Sequence, residues 1–134
     1  MAVRPGGAPL ALADTSVFIA VEQERPLSTT PPERIGVSVI TIGELRLGVL
    51  AAADGPTRAR RLETLTRAGA LDPIPVDSSV AAAWAALRLA LRDGGMGMPL
   101  NDSWIAATAL ARNVPVVSRD SDYDGVPGLR VLRV

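Results

Sequence analysis

Residues 10–16 read Leu-Ala-Leu-Ala-Asp-Thr-Ser, an apolar run that ends on an acid and passes straight into helix-starting residues. Leu10 to Ala13 predicts a short buried strand with Asp14 at its carboxyl end. Thr15 and Ser16 then open a helix through VFIAVEQE to about Glu24. The same figure recurs near the other terminus, where Val-Pro-Val-Val at 114–117 predicts a strand running into Ser118-Arg119-Asp120. Between these two, IGVSVI (35–40) is β-branched and predicts a second strand, and PIPV (73–76) a third. LRVLRV (129–134) predicts a final edge strand. PLSTTPPER (26–34) has the composition of a loop. Helical patterns fill the remaining intervals. One begins at Thr41-Ile42-Gly43-Glu44. An arginine-rich one, RARRLETLTRA, follows the turn at Asp54. An alanine-rich one leads from Asp77 and Ser78 to a stop at Gly94 and Gly95, and a last one is headed by Asp102. Strands alternating with helices predict a single α/β domain built on a mostly parallel sheet.

Composition removes whole classes of chemistry. The 134 residues suit one domain, and with only 3% aromatic residues the core must come from Ala, Val, Leu and Ile. There is no cysteine and no histidine, so disulfides, thiolate sites, Ser-His-Asp triads and paired-imidazole ribonuclease chemistry are excluded. All 14 basic residues are arginine, which rules out phosphate loops ending in Gly-Lys-Ser/Thr. What remains is Asp, Glu, Arg, Ser, Thr and one Tyr; a hard cation held by carboxylates is the strongest tool in that kit. The net charge of zero argues weakly against indiscriminate nucleic-acid binding. No apolar run nears the roughly 18 residues of a membrane span, and the amino-terminal stretch lacks the long apolar region of a signal peptide. A soluble cytoplasmic protein without a membrane partner is expected.

Four acids take comparable places. In open α/β sheets function gathers at the carboxyl ends of strands. Asp14 follows the first strand and Asp120 the fourth. Glu44 lies in the first turn of the helix after IGVSVI, and Asp102 heads the helix before VPVV. Grouped carboxylates repel one another unless a cation pairs with them, and oxygen ligands suit Mg²⁺ or Mn²⁺. Each acid also has a purely structural reading. Asp14 is placed as a helix cap, Glu44 completes a T-x-x-E capping box, Asp102 complements a helix dipole, and Asp120 sits in an acid-rich turn with Asp122 and Asp124. The functional case rests on the four together.

The strings LADTSVFIA (12–20), TIGELRLG (41–48), NDSWIAATALA (101–111) and VSRDSDYDGVPGLRV (117–131) resemble the successive motifs of PIN-domain ribonucleases. The likeness is closest to the VapC toxins of bacterial toxin–antitoxin pairs, and it spans essentially residues 10–134, leaving residues 1–9 as an amino-terminal tail. It implies a PIN-like three-layer α/β/α sandwich whose acids fall on Asp14, Glu44 and Asp102. The family's fourth acid follows a threonine in T-x-D or T-x-N; here the position reads Ser118-Arg119-Asp120, with serine for threonine, and Asp122 is a rival or auxiliary fourth acid.

The activity the resemblance implies is metal-dependent hydrolysis of RNA phosphodiesters, tRNA or other structured RNA, by metal-activated water, leaving a 5′-phosphate and a 3′-hydroxyl. Asp14, Glu44, Asp102 and Asp120 would hold Mg²⁺ or Mn²⁺. Ser16 and Ser118 are either auxiliary hydrogen-bond donors to the acids or plain cap and turn residues. The implied partners are a VapB-like, DNA-binding antitoxin whose tail blocks the acidic site, and a second copy of the chain in a homodimer that assembles further with the antitoxin. VFIAVEQE and residues 44–53 are the candidate surfaces. Arg58, Arg60, Arg61 and Arg67 are read as a solvated helix face or as phosphate contacts, Trp84 and Trp104 as packing residues or base-stacking platforms. The competing classes are a non-catalytic PIN-fold RNA- or protein-binding module and an aspartate-dependent phosphotransfer domain. The latter is disfavoured because the chain has no lysine to accompany a phosphoaspartate.

Overall fold

In the computed structural model, which describes residues 8–134, Ala11–Ala13 forms the central strand β1 because every side chain in it can be buried. The expected tail at residues 1–9 lies outside the described residues except for its last two positions. The chain continues as α1 (Thr15–Glu22), β2 (Ile35–Gly36), α2 (Val39–Leu50), α3 (Gly55–Gly69), α4 (Ser78–Asp93), α5 (Leu100–Arg112), β3 (Val116–Ser118) and β4 (Val131–Arg133). The four strands pair in parallel in the order β2-β1-β3-β4. This is the α/β/α sandwich expected, with LRVLRV at the edge.

Side chains alternate across the sheet with the period of two that a strand imposes. Leu12 and Val116 point to one face and pack with Leu87 and Leu91 of α4 and Ile105, Ala106 and Ala109 of α5. Ala11, Ala13 and Val117 point to the other and pack with Val17 and Phe18 of α1. A third apolar cluster joins α2 to α3 through Leu45, Leu65 and Ala68, with Phe18 packed against it. The alanines in β1 and α5 let helix and sheet approach closely, which is how a core with few aromatic residues reaches density.

Three expected strands differ in the structure, each for a physical reason, and α5 begins at Leu100, so Asp102 lies in its first turn and does not head it. IGVSVI forms a strand only at Ile35–Gly36, because the Ser38 side chain accepts the amide of Ile40 at 3.0 Å and starts α2 at Val39. The β-branched Val39, Ile40, Thr41 and Ile42 are thus helical. Thr41 is not a cap, so Glu44 falls in the second turn and no capping box exists there. PIPV is not a strand but a single bridge, Ser38 to Ile74, made by Ile74 N–H to Val37 O (2.8 Å) and Val39 N–H to Ile74 O (3.1 Å). Pro73 and Pro75 have no amide hydrogen with which to extend it. The fourth predicted strand is displaced to Val116–Ser118, Pro115 serving only as an acceptor for Leu12 N–H. The stop of α4 is as read: Gly95 adopts φ +66°, a conformation open to glycine at little cost.

Candidate active site

β1 and β3 are neighbours, while the connection leaving β1 carries the chain to β2 on the opposite side. The carboxyl ends of β1 and β3 therefore flank a topological switch point, the crevice where α/β sheets place ligands. Asp14 stands there, 2% exposed. It occupies the cap position of α1 with extended backbone (φ −80°, ψ 175°), yet caps no amide. Its carboxylate instead accepts Ser16 Oγ–H at Oδ1 (2.6 Å) and Ser118 Oγ–H at Oδ2 (2.8 Å), which ties the two strand ends together. The same hydroxyls accept the amides of Arg119 and Asp120, fixing the turn after β3. Burial pushes the Asp14 carboxyl above its ordinary range; the two serines oppose that rise, and the charge of Asp120 adds to it.

Asp102 lies half-buried in the first turn of α5. Burial first, then Asp122 within hydrogen-bonding reach and the charge of Asp14, push its carboxyl up to about 7, against a lowering contribution from Tyr123. The Tyr123 hydroxyl donates to Asp102 Oδ1 at 3.2 Å. Glu44 reaches the group from α2: Oε1 accepts Thr15 Oγ1–H at 2.6 Å, and Oε2 lies 3.4 Å from Asn101 Nδ2, one residue before Asp102. Thr15 Oγ1 is also 3.0 Å from Thr41 Oγ1. Glu44 is thereby linked to the residue that precedes Asp102 on α5. Asp120 and Asp122 are exposed in the turn after β3, the first acting on Asp14 and the second on Asp102.

Among the described residues no three acids stand close enough to hold one ion between them. The donor set is all oxygen, grouped in pairs. That chemistry fits a cation of the Mg²⁺ kind, which keeps most of its waters and takes one or two carboxylates plus substrate phosphates rather than a closed protein cage.

Sequence reasoning missed Thr15, Asn101 and Tyr123. The first two adjoin Asp14 and Asp102 and are detectable only through that adjacency; Tyr123 is the chain's one tyrosine, set between two aspartates. Two arginines of α3 have structural duties: Arg58 bonds Ala52 O (3.1 Å) and Arg61 bonds Gly48 O (2.7 Å), satisfying carbonyls at the end of α2. Arg67 pairs with Glu63 at 2.6 Å. Trp84 and Trp104 stack on each other, centroids 4.3 Å apart, and Trp84 Nε1–H donates to Ser103, so both serve packing of α4 on α5.

The chain matches the family model of the PIN domain over residues 11–129. The chain is 45% identical over 129 residues to ribonuclease VapC4 of Mycobacterium tuberculosis, covering 92% of this chain and 96% of the relative. Ribonuclease VapC5 of the same organism is 44% identical, with 90% and 93% covered. The crystal structure of VapBC-5, a toxin–antitoxin system of M. tuberculosis, superposes with a TM-score of 0.81 at 42% identity, covering 92% of this chain and 98% of that one. The chain belongs to the PIN-domain family, within its VapC-like branch.

Proposed function

We propose that this chain is a metal-dependent endoribonuclease toxin that hydrolyses RNA phosphodiesters, in the cytoplasm, until a VapB-like antitoxin neutralises it. The observation that carries the reading is Asp14 buried at the β1–β3 switch point, with Asp102 near enough to feel its charge. Two carboxyls with raised pKa values and more acids beside them carry a negative charge that a divalent cation would relieve. Asp14 and Asp102 would hold Mg²⁺ or Mn²⁺ directly or through water, with Glu44 orienting waters and Asp120 or Asp122 completing the set. When bound, the cation lowers the pKa of a water and neutralises charge on the scissile phosphate. The chain's own part is to keep these oxygens fixed: Ser16 and Ser118 lock Asp14, Thr15 and Asn101 lock Glu44, and Tyr123 holds Asp102. Structured RNA such as tRNA is the substrate class, and loss of translation the consequence.

For the partner, the relatives solved as toxin–antitoxin complexes support a VapB-like antitoxin. A cleft of about 270 Å³ between α1, β2 and α3, lined by Val17, Phe18, Val21, Leu27, Ile35 and Leu71 among others, offers an apolar seat on the helix expected to be an interaction surface. The homodimer expected from the resemblance remains part of this proposal.

The decisive measurement is cleavage of RNA by wild type and Asp14→Asn in Mg²⁺ and in chelator. Wild type should cut only with the metal, and the variant not at all; full activity in a clean preparation of the variant sinks the mechanism. A non-catalytic binding module is favoured by one observation, the absence of any three acids within reach of one ion among the described residues. Calorimetric titration separates the two, since that module would take up no Mg²⁺ at millimolar concentration.

A further inference from the structure

We propose that Tyr123 is the positioning residue for Asp102: its buried hydroxyl holds Oδ1 and so selects the orientation in which this carboxylate meets a divalent cation, a role that rests on the nuclease reading above. Tyr123 is fully buried, its ring packed in the cluster that contains Leu12, Ile105, Ala106 and Val116. A phenylalanine would fill that space equally well. The hydroxyl adds a group that must find an acceptor or cost free energy, and Asp102 Oδ1 is its acceptor at 3.2 Å. Phenol is neutral at physiological pH, so it offers a donor without adding to the charge of the cluster.

The platform beneath this contact is anchored. Val126 N–H bonds Tyr123 O at 3.3 Å, Asp124 N–H bonds Ser121 O at 3.0 Å, and Arg133 of β4 pairs with Asp124 at 2.7 Å. Val126 is buried in the same cluster as the ring. One short turn thus brings both a neutral donor and the like-charged Asp122 to Asp102. Removing the donor frees Asp102 Oδ1 from the bond that fixes its orientation. Hydrogen bonds from such outer partners orient ligating carboxylates and commonly set metal affinity and activity by about 10- to 100-fold.

The test compares the full chain with Tyr123→Phe by Mn²⁺ titration followed by electron paramagnetic resonance, by RNA cleavage and by metal-free melting. Mn²⁺ affinity should fall about 10-fold, cleavage should fall with it and recover at high Mn²⁺, and the metal-free Tm should hold or rise. Equal Mn²⁺ affinity in a folded variant overturns the proposal, as does a lowered metal-free Tm with unaltered affinity, the pattern of a merely structural hydroxyl. Because the chain has one tyrosine, 3-fluorotyrosine labelling of the wild type gives a single ¹⁹F resonance and decides the matter should the variant not fold. That resonance should shift with the midpoint of Mg²⁺ binding, and a resonance indifferent to Mg²⁺ overturns the role. A wild type that binds Mn²⁺ but cuts no RNA removes the nuclease reading while leaving the positioning role intact; one that binds no Mn²⁺ removes both.

Discussion

Asp14 and Asp102 on the rim, and Asp54 and Asp77 before α3 and α4, all stand at the cap or in the first turn of a helix, yet they live under opposite physics. Asp54 accepts the Thr57 amide at 2.8 Å and Asp77 the Val80 amide at 2.9 Å, both exposed, and these backbone hydrogen bonds hold both carboxyls below the usual range. Asp14 caps no amide and Asp102 lies inside its helix; burial drives both upward. A helix amide stabilises the ionised form of an exposed aspartate, while burial beside other acids disfavours it. The difference lies in what stands beside each residue. Asp54 and Asp77 meet solvent, whereas Asp14 meets a neighbouring strand end and the charge of Asp120, and Asp102 meets Asp122 and the charge of Asp14. A cap is stabilised as it is; a crowded pair is stabilised by something added.

The largest effect expected from breaking this contrast is on activity. Asp102→Asn should reduce RNA cleavage by at least about 100-fold, since outer partners of a metal ligand alone are worth up to that much. Asp77→Asn should leave the rate unchanged in the same gel or fluorescence assay.

Stability against pH should separate the two regions next. Asp102 is raised, so its contribution is full below the unfolded value of 3.8 and is lost as pH rises through about 7. The metal-free protein should therefore melt higher at pH 5 than at pH 8, by less than the one-proton limit of about 1.4 kcal/mol per pH unit because the group is only half-buried. Mg²⁺ should reverse the loss at pH 8. Asp54 and Asp77 are lowered, so their contribution is present above 3.8 and fades as pH falls through their depressed values, giving a separate acid limb. Calorimetry without the metal that showed no decline between pH 5 and 8 would count against the raised Asp102.

A finer effect separates the rival fourth acids. Asp122→Asn should lower the pH midpoint of Mn²⁺ uptake by relieving Asp102, whereas Asp120→Asn should not move the Asp102 midpoint, because its charge acts on Asp14. Identical profiles would erase the distinction. Smallest of all, Asp77→Ala should lower Tm by a few degrees through loss of the cap, with cleavage intact.

The α/β alternation was readable because LALAD and VPVVSRD are apolar runs terminated by acids, and because the helices between them have clear starts and stops. The residues at 35–42 were not. A β-branched run favours strand locally, but a buried serine two residues before Ile40 offered a cap, and packing of Ile40, Thr41 and Leu45 decided for helix. That shift of start removed the capping-box reading of Glu44 and turned its side chain toward Thr15 and Asn101. Ser16 and Ser118 could be named as candidate donors because they stand in the motifs that carry Asp14 and Asp120, but the bond of Ser118 to Asp14 spans 104 residues, and the Tyr123–Asp102 bond joins residues 21 apart through a turn whose course no local pattern specifies.

By itself the amino-acid order determined the class of fold, the chemistry excluded by missing Cys, His and Lys, and which acids follow strands or head helices, because periodicity and composition are local properties. Only the tertiary structure decided which aspartates are caps and which are crowded, which of Asp120 and Asp122 meets Asp102, and what holds each carboxylate still. Those facts depend on burial and on distances between segments remote in sequence, and electrostatics in a protein is governed by surroundings rather than by residue type.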